Sequence, residues 1–158
     1  MLAAALGLAI GIPALRKHQP SASPSTSKSA PAPPQRSYGA QRVIWSSDGG
    51  INGLSVDRVG NLYVVCQNSN QVFELAGSGL QTQLAFAGLN NPWGVAVDPA
   101  GNVYATDNVN NRVVELAMGS STPTVLPFTD LNGPQGVAVD TDGNVYVGES
   151  HRVVKLAP

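Results

Sequence analysis

The sequence predicts an all-β protein of repeated antiparallel meanders, and three observations carry that prediction. Asp57, Asp98 and Asp140 recur at spacings of 41 and 42, as do Asn61, Asn102 and Asn144, and Tyr63, Tyr104 and Tyr146. Each unit of about 42 residues reads as four short runs rich in Val, Tyr and Phe, divided by Asn, Gly, Pro and Asp, the signature of strands and turns. Charged residues are only 12% of the 158, against a typical ~25%, while Gly numbers 17 and Pro 12, a composition of many turns and few solvated helices.

At the N-terminus, Leu2 to Leu15 are 14 uncharged, almost wholly apolar positions, the length of an export-signal core and short of the ~20 residues a membrane-spanning helix needs. No basic residue precedes them and Arg16 and Lys17 follow, the reverse of an export signal's polarity. The expectation is an uncleaved or truncated anchor over residues 1–15, giving membrane association; the alternative is an apolar tail without targeting value. Residues 16–41 turn to Pro, Ser, Ala and Lys with no acid. Such a stretch buries too little apolar surface to offset its ordering entropy and reads as a disordered, semi-extended linker.

Residues 42–158 divide into units at about 42–81, 82–123 and 124–158. Each begins with RVIW, QLAF or TVLPF, because Trp45, Phe86 and Phe128 stand twelve residues before the repeated aspartates. In the third unit the four runs are VLPF, GVAVD, NVYV and RVVKL. The connections DRVGN, DPAGN and DTDGN read as tight hairpins in which Asp accepts from backbone donors and Gly60, Gly101 or Gly143 takes a positive φ. Asp140, Asp142 and Asn144 have the spacing of an EF-hand loop, but His151 stands where its bidentate Glu belongs, so the turn is the reading.

The GVAVD run is apolar at successive positions, which requires burial on both faces. Ser55, Ala96 and Ala138 are small where Val95, Val97, Val137 and Val139 are large, a taper expected of the strand nearest a crowded centre. Four strands per ~40 to 45 residues is the pattern of a β-propeller blade. Trp45, at the repeat position of Phe86 and Phe128, is expected in the core. Trp93 replaces Gly53 and Gln135 of the neighbouring loops and is open to either contact or packing.

The motifs PWGVAVD, PQGVAVD, GNVY and NRVVEL resemble NHL repeats, and the likeness extends from Arg42 to Pro158. The arrangement is similar to the extracellular sensor propeller of mycobacterial receptor serine/threonine kinases, in which a kinase, a membrane helix and a short linker precede the blades. Repeat one departs, with INGLSVD for the motif and Cys66 where Asp107 and Glu149 stand. The resemblance implies NHL-type β-propeller blades and a module that senses an envelope ligand or binds a protein on the extracellular side of a cell membrane or envelope. The chain holds no glycine-rich phosphate loop, HRD or DFG. Three repeats fall short of the four to eight blades that close a propeller, and of the six in the related sensors. The expectation is therefore an incomplete propeller, a fragment or split-gene product without independent function, or half of a six-bladed homodimer.

Chemistry narrows the function further. Histidines are His18 and His151 alone, and no Ser-His-Asp pattern or inward carboxylate pair is visible, which argues against an enzyme. An NHL lyase-like enzyme, the third reading, would need metal held by several histidines. The single cysteine, Cys66, excludes an intrachain disulfide and a cysteine-cluster metal site; it reads as a free structural thiol. No metal or cofactor is expected. From Val43 onward four basic residues face ten acidic ones, a formal net of −6, and nucleic acid is excluded as a partner.

In a meander alternate connections share a side, so one rim gathers the loops before GVAVD and after NVYV. The first set supplies Asn52, Asn90, Asn91, Trp93, Asn132 and Gln135; the second supplies Gln67, Asn68, Asn70, Asp107, Asn108, Asn110, Glu149 and His151. Amides both donate and accept and an indole stacks, so this rim is the expected binding surface for a glycan or peptide. The competing reading is ordinary solvated turn asparagine. Arg112 and Arg152, with Gln71 as counterpart, are expected to pair with acids between blades.

Overall fold

A computed structural model describes residues 36–158. The apolar segment 1–15, His18 and all of the 16–41 linker before Arg36 lie outside the described residues. Arg36–Gln41 are exposed and carry no regular secondary structure, and Arg42–Pro158 form one compact unit.

Eleven strands build three antiparallel sheets in that unit. The first sheet runs β1 (Ile51–Val56), β2 (Leu62–Cys66), β3 (Gln71–Leu75) and β4 (Gln81–Gln83), and the second β5 (Pro92–Val97), β6 (Val103–Asp107), β7 (Arg112–Leu116) and β8 (Thr124–Val125). The third holds β9 (Gly136–Val139), β10 (Val145–Gly148) and β11 (Val153–Leu156). All pairings join strands consecutive in the chain, so each sheet is a meander.

The sheets are phased one strand later than the unit read from the sequence. The run expected to open the second unit instead closes the first sheet: Gln83 pairs with Phe73, and the Leu84 N–H donates to the Val72 carbonyl at 2.9 Å. Val125 likewise pairs with Val114. The connection explains the choice. Ala76 to Leu80 is a tight turn, with Gly79 at φ 89° and the Ala76 N–H on the Leu80 carbonyl at 2.9 Å, so the chain folds straight back on β3. The passage to the next sheet comes afterwards, through residues 87–91. Two consequences are that Arg42–Trp45 pair with no strand and that the third sheet has three strands among the described residues.

Strand alternation sends opposite faces of each sheet into two apolar layers. Tyr63, Val65 and Val72 pack on Val95, Val103, Ala105 and Val114, with Phe86 and Leu89 at the edge. Tyr104, Ala96 and Val113 pack on Val145, Val147 and Val137, with Leu131 and Phe128. The second sheet is therefore covered on both faces, and Val95 and Ala96 of β5 are both buried as the GVAVD pattern requires. Its counterparts differ. Leu54 and Val56 of β1 are 61% and 62% exposed, and Gly136 and Ala138 of β9 are exposed, because burial there needs a further sheet. Trp45 holds its repeat position by covering the outward face of the first sheet, its ring 5.7 Å from that of Phe73, and is only half-buried.

Inner strands approach closely through one glycine each. A Cβ on Gly53 would lie 2.5 Å from the Trp93 carbonyl oxygen, and one on Gly94 2.4 Å from that of Gln135. These contacts align Gly53, Gly94 and Gly136, so Trp93 corresponds to Asn52 and Gln135, which corrects the match to Gly53.

Candidate functional site

The hairpin rim is closed by its own hydrogen bonds. In DPAGN, Asp98 Oδ1 accepts from the N–H groups of Ala100 at 2.8 Å and Asn102 at 2.9 Å, and Oδ2 accepts from Asn102 Nδ2 at 2.8 Å and the Tyr104 hydroxyl at 3.1 Å. Asp57 and Asp140 repeat the arrangement, and Gly60, Gly101 and Gly143 take φ of 94°, 91° and 82°. Burial pushes the Asp57 and Asp98 carboxyls up, but the donors, led by the N–H groups of Asn61 and Asn102, outweigh it and hold both below the ordinary aspartate range. At Asp140 the Asn144 amide leads the same effect. The Tyr63 phenol is pushed up to about 12, first by burial and then by Glu74 and Asp57.

The opposite rim carries the passages between sheets and the loops after β2, β6 and β10, and most of its expected binding residues are engaged in holding them. Asp107 is fully buried. It accepts from the Asn90 N–H at 2.7 Å, Asn110 Nδ2 at 2.8 Å and Arg112 Nε at 2.6 Å, while Arg112 also donates to the Gly88 carbonyl at 2.8 Å. Glu149 does the same for the third sheet, accepting from the Asn132 N–H at 2.6 Å and Arg152 Nε at 2.5 Å; these two donors, Arg152 first, hold its carboxyl below the ordinary range. Both arginines thus pair inside one sheet and not between blades. The acid sits at the end of the second strand and the arginine at the start of the third, where the ladder sets them side by side. In the first sheet Cys66 and Gln71 replace the pair. There the loop is held by the Gln67 N–H on the Gly50 carbonyl at 2.9 Å, the Asn68 N–H on the Gly49 carbonyl at 2.7 Å, and the Cys66 thiol beside Ser47 Oγ at 3.6 Å.

Amide side chains latch one sheet to the next. Asn70 Oδ1 accepts from the Asn91 N–H and Asn111 Oδ1 from the Gly133 N–H, each at 2.7 Å. Both asparagines sit in the left-handed region, at φ 57° and 52°, a conformation asparagine tolerates. Asn108 Nδ2 donates to the Pro134 carbonyl at 3.1 Å and Gln67 Nε2 donates to Asn91 Oδ1, while Gln67 Oε1 is held within the first sheet by Asn52 Nδ2 at 2.8 Å. Buried Thr106 completes the set: its hydroxyl accepts from the Gly94 N–H at 2.7 Å and donates to the Gln135 carbonyl at 2.8 Å. Thr106 and Asn111 were not among the residues singled out from the sequence, and a threonine inside a strand gives no signal there.

What remains turned outward falls into two places. Trp93, 37% exposed, and Gln135 join Asn52 around an open groove of about 350 Å³ floored by Gly53, Gly94 and Gly136. His151 and Asn132 border a separate hollow of about 500 Å³ beside Glu149 and Arg152. Asn90 is exposed near the Asp107 clamp. Among the described residues no three His, Cys, Asp or Glu side chains converge as metal ligands, and no helix is long and apolar enough to cross a membrane.

The NHL repeat family matches residues 89–116 and 131–156, the second and third repeats. No curated protein matches the chain. Among solved structures, a streptogramin B lyase is similar at 23% identity and a TM-score of 0.59, over 70% of this chain and 38% of that one. A chain of a nidogen–laminin complex is similar at 24% identity and 0.61, over 68% and 44%. Virginiamycin B lyase from Staphylococcus aureus is similar at 17% identity and 0.54, over 71% and 42%. The chain thus spans about two-fifths of the length of these structures, and the likeness shows the fold. Three stacked meanders, two of them carrying matched NHL repeats, make the fold that of NHL-type β-propeller blades forming part of a propeller.

Proposed function

We propose that this chain is a non-enzymatic recognition module that senses a ligand or binds a protein through the loop rim, on the outer side of a cell envelope. It acts in the manner of the sensor propeller of a receptor serine/threonine kinase, held off the membrane by the 16–41 linker. One observation carries the reading. Trp93 presents a partly exposed indole beside the outward Gln135 amide and the carbonyl end of the Asn52 amide, whose nitrogen is held by Gln67, on inner strands fixed by glycine contacts and amide latches. An aromatic face flanked by groups that donate and accept suits a sugar ring or a peptide, and loops on a rigid scaffold are where recognition resides. The rim carboxylates Asp107 and Glu149 are occupied by arginines and backbone N–H groups, which supports a binding role over acid–base chemistry.

The test is to screen the full chain against envelope glycans, peptidoglycan fragments and peptides. Saturable binding that follows Trp93 supports the proposal. Turnover of a streptogramin B or of virginiamycin B, each named for the lyase of a structural relative, would overturn the non-enzymatic reading.

A further inference from the structure

We infer that the groove beside Trp93 takes the ring of an uncharged sugar and not a peptide, and that the buried Thr106 hydroxyl is what closes its floor to a peptide main chain. The inference rests on the rim recognition proposed above and names the ligand class of that site.

A bulge aims the indole. In the ladder between β5 and β6, Pro92 pairs with Asp107 and Val95 with Ala105, so Trp93 and Gly94 together face Thr106. An extra residue of this kind re-aims a side chain, and here it leaves Trp93 partly exposed at the edge of a groove of about 350 Å³. That volume is within the range of small-molecule sites, and a flat aromatic face at the edge of such a groove is a platform on which a ring can lie.

Backbone groups of the floor are already engaged. Thr106 is fully buried, and its hydroxyl accepts from the Gly94 N–H at 2.7 Å and donates to the Gln135 carbonyl at 2.8 Å. The Gln135 N–H is in turn taken up by the Gly148 carbonyl at 2.8 Å, and the Trp93 carbonyl is packed against Gly53. A peptide held as an added strand draws its affinity from main-chain hydrogen bonds, and these are the groups that would make them. The hydroxyl has no counterpart in the repeat: two residues after the recurring tyrosine, Val65 and Gly148 stand where Thr106 does, so blade packing alone does not call for it.

Side chains are what the groove leaves for a ligand. Every residue lining it is uncharged, so a carboxylate or ammonium brought into it would lose water without gaining a partner. Gln135 is exposed and its amide can donate and accept, while Asn52 presents Oδ1 as an acceptor because its nitrogen is held by Gln67. A pyranose carries hydroxyl groups that donate and accept around its edge and C–H groups on its face. It therefore complements an indole face flanked by one full amide and one amide oxygen.

The experiment uses the full chain carrying Trp45→Phe, the residue of the other two repeats, so that fluorescence reports Trp93 alone. Chitotetraose and maltotetraose are the uncharged probes, tetragalacturonate the acidic one, and a pool of acetylated, amidated pentapeptides the peptide one. At least one uncharged sugar should bind saturably, shift the Trp93 emission and keep its affinity from low to high salt. In calorimetric titration Trp93→Ala should weaken that binding about tenfold or more, the scale of an aromatic contact residue. Thr106→Val should weaken it as well and Thr106→Ser restore it, with far-ultraviolet circular dichroism unchanged in both. Peptides or tetragalacturonate binding through Trp93 where neither uncharged sugar does would overturn this inference and leave recognition at the rim standing. Absence of any saturable binding that follows Trp93 would overturn both. A sugar held equally well after Thr106→Val would overturn the part given to the hydroxyl.

Discussion

Arg112 Nε lies 2.6 Å from Asp107 Oδ2, and both residues belong to the second sheet, so this ion pair fastens a loop to its own blade and leaves blade stacking to apolar contact and amide latches. Asp107 is fully buried while the Arg112 side chain is 31% exposed. Arg112→Ala strands a buried carboxylate and should destabilise by about 3 kcal/mol, the scale for breaking a buried pair. Arg152→Ala should cost less, because the Arg152 side chain is itself 52% exposed and Glu149 is 5% exposed where Asp107 is fully buried. Urea unfolding of the two variants distinguishes them, and equal losses would contradict the assignment.

Trp93→Ala should weaken binding of any rim ligand by about 1–3 kcal/mol, the scale of an aromatic contact residue. Its effect on unfolding should stay under about 1 kcal/mol, as for a surface side chain. Calorimetric titration and thermal melts measure the two separately. If Ala100→Glu on the hairpin rim abolishes binding while Trp93→Ala is silent, recognition belongs to the other face.

The hairpin aspartates make stability acid-sensitive. Asp57, Asp98 and Asp140 have carboxyls lowered in the folded state, so the unfolded chain takes up protons first on acidification. Their contribution is fully present above the ordinary aspartate range, fades as pH falls through it, and is gone below the lowered folded values. Asp98→Asn should lose about 2 kcal/mol at neutral pH, since its donors face a neutral group, and should flatten the acid limb of a plot of unfolding midpoint against pH. An unchanged acid limb would refute the linkage.

Gly94→Ala forces a Cβ to within 2.4 Å of the Gln135 carbonyl oxygen, between two backbones that cannot yield separately. Overpacking of this kind costs about 1–3 kcal/mol or more. Gly60→Ala strains a positive φ in open space instead, and should cost less. Melting temperatures of the pair test whether close approach of the inner strands is the tighter constraint.

Much of this was legible in the sequence. The period, the hairpins with their positive-φ glycines, the two-sided burial of β5 and the Phe86 and Phe128 layers all follow from residue spacing. The phase of the sheets was not, because an alternating run such as QLAF fits either neighbour and only the tight turn at Ala76–Leu80 decides. The site was less legible still. A loop asparagine looks the same in sequence whether it faces solvent, as Asn132 does, or latches a neighbouring sheet, as Asn70 and Asn111 do. The partner of Arg112 was misjudged because Asp107 is five residues away along the chain but directly across the ladder.

The coverage of the second sheet on both faces bears on the order in which the molecule comes apart. In stacked blades each gains stability from its neighbours, so the second sheet, covered on both faces, is the best supported of the three. All five residues of β6 are buried, whereas β1 and β9 each leave alternate residues to water. Unfolding should therefore reach β6 last, with its amides the slowest to exchange. Damage to the second sheet would uncover apolar faces of both its neighbours at once, whereas damage to the first or third would uncover one face of the second.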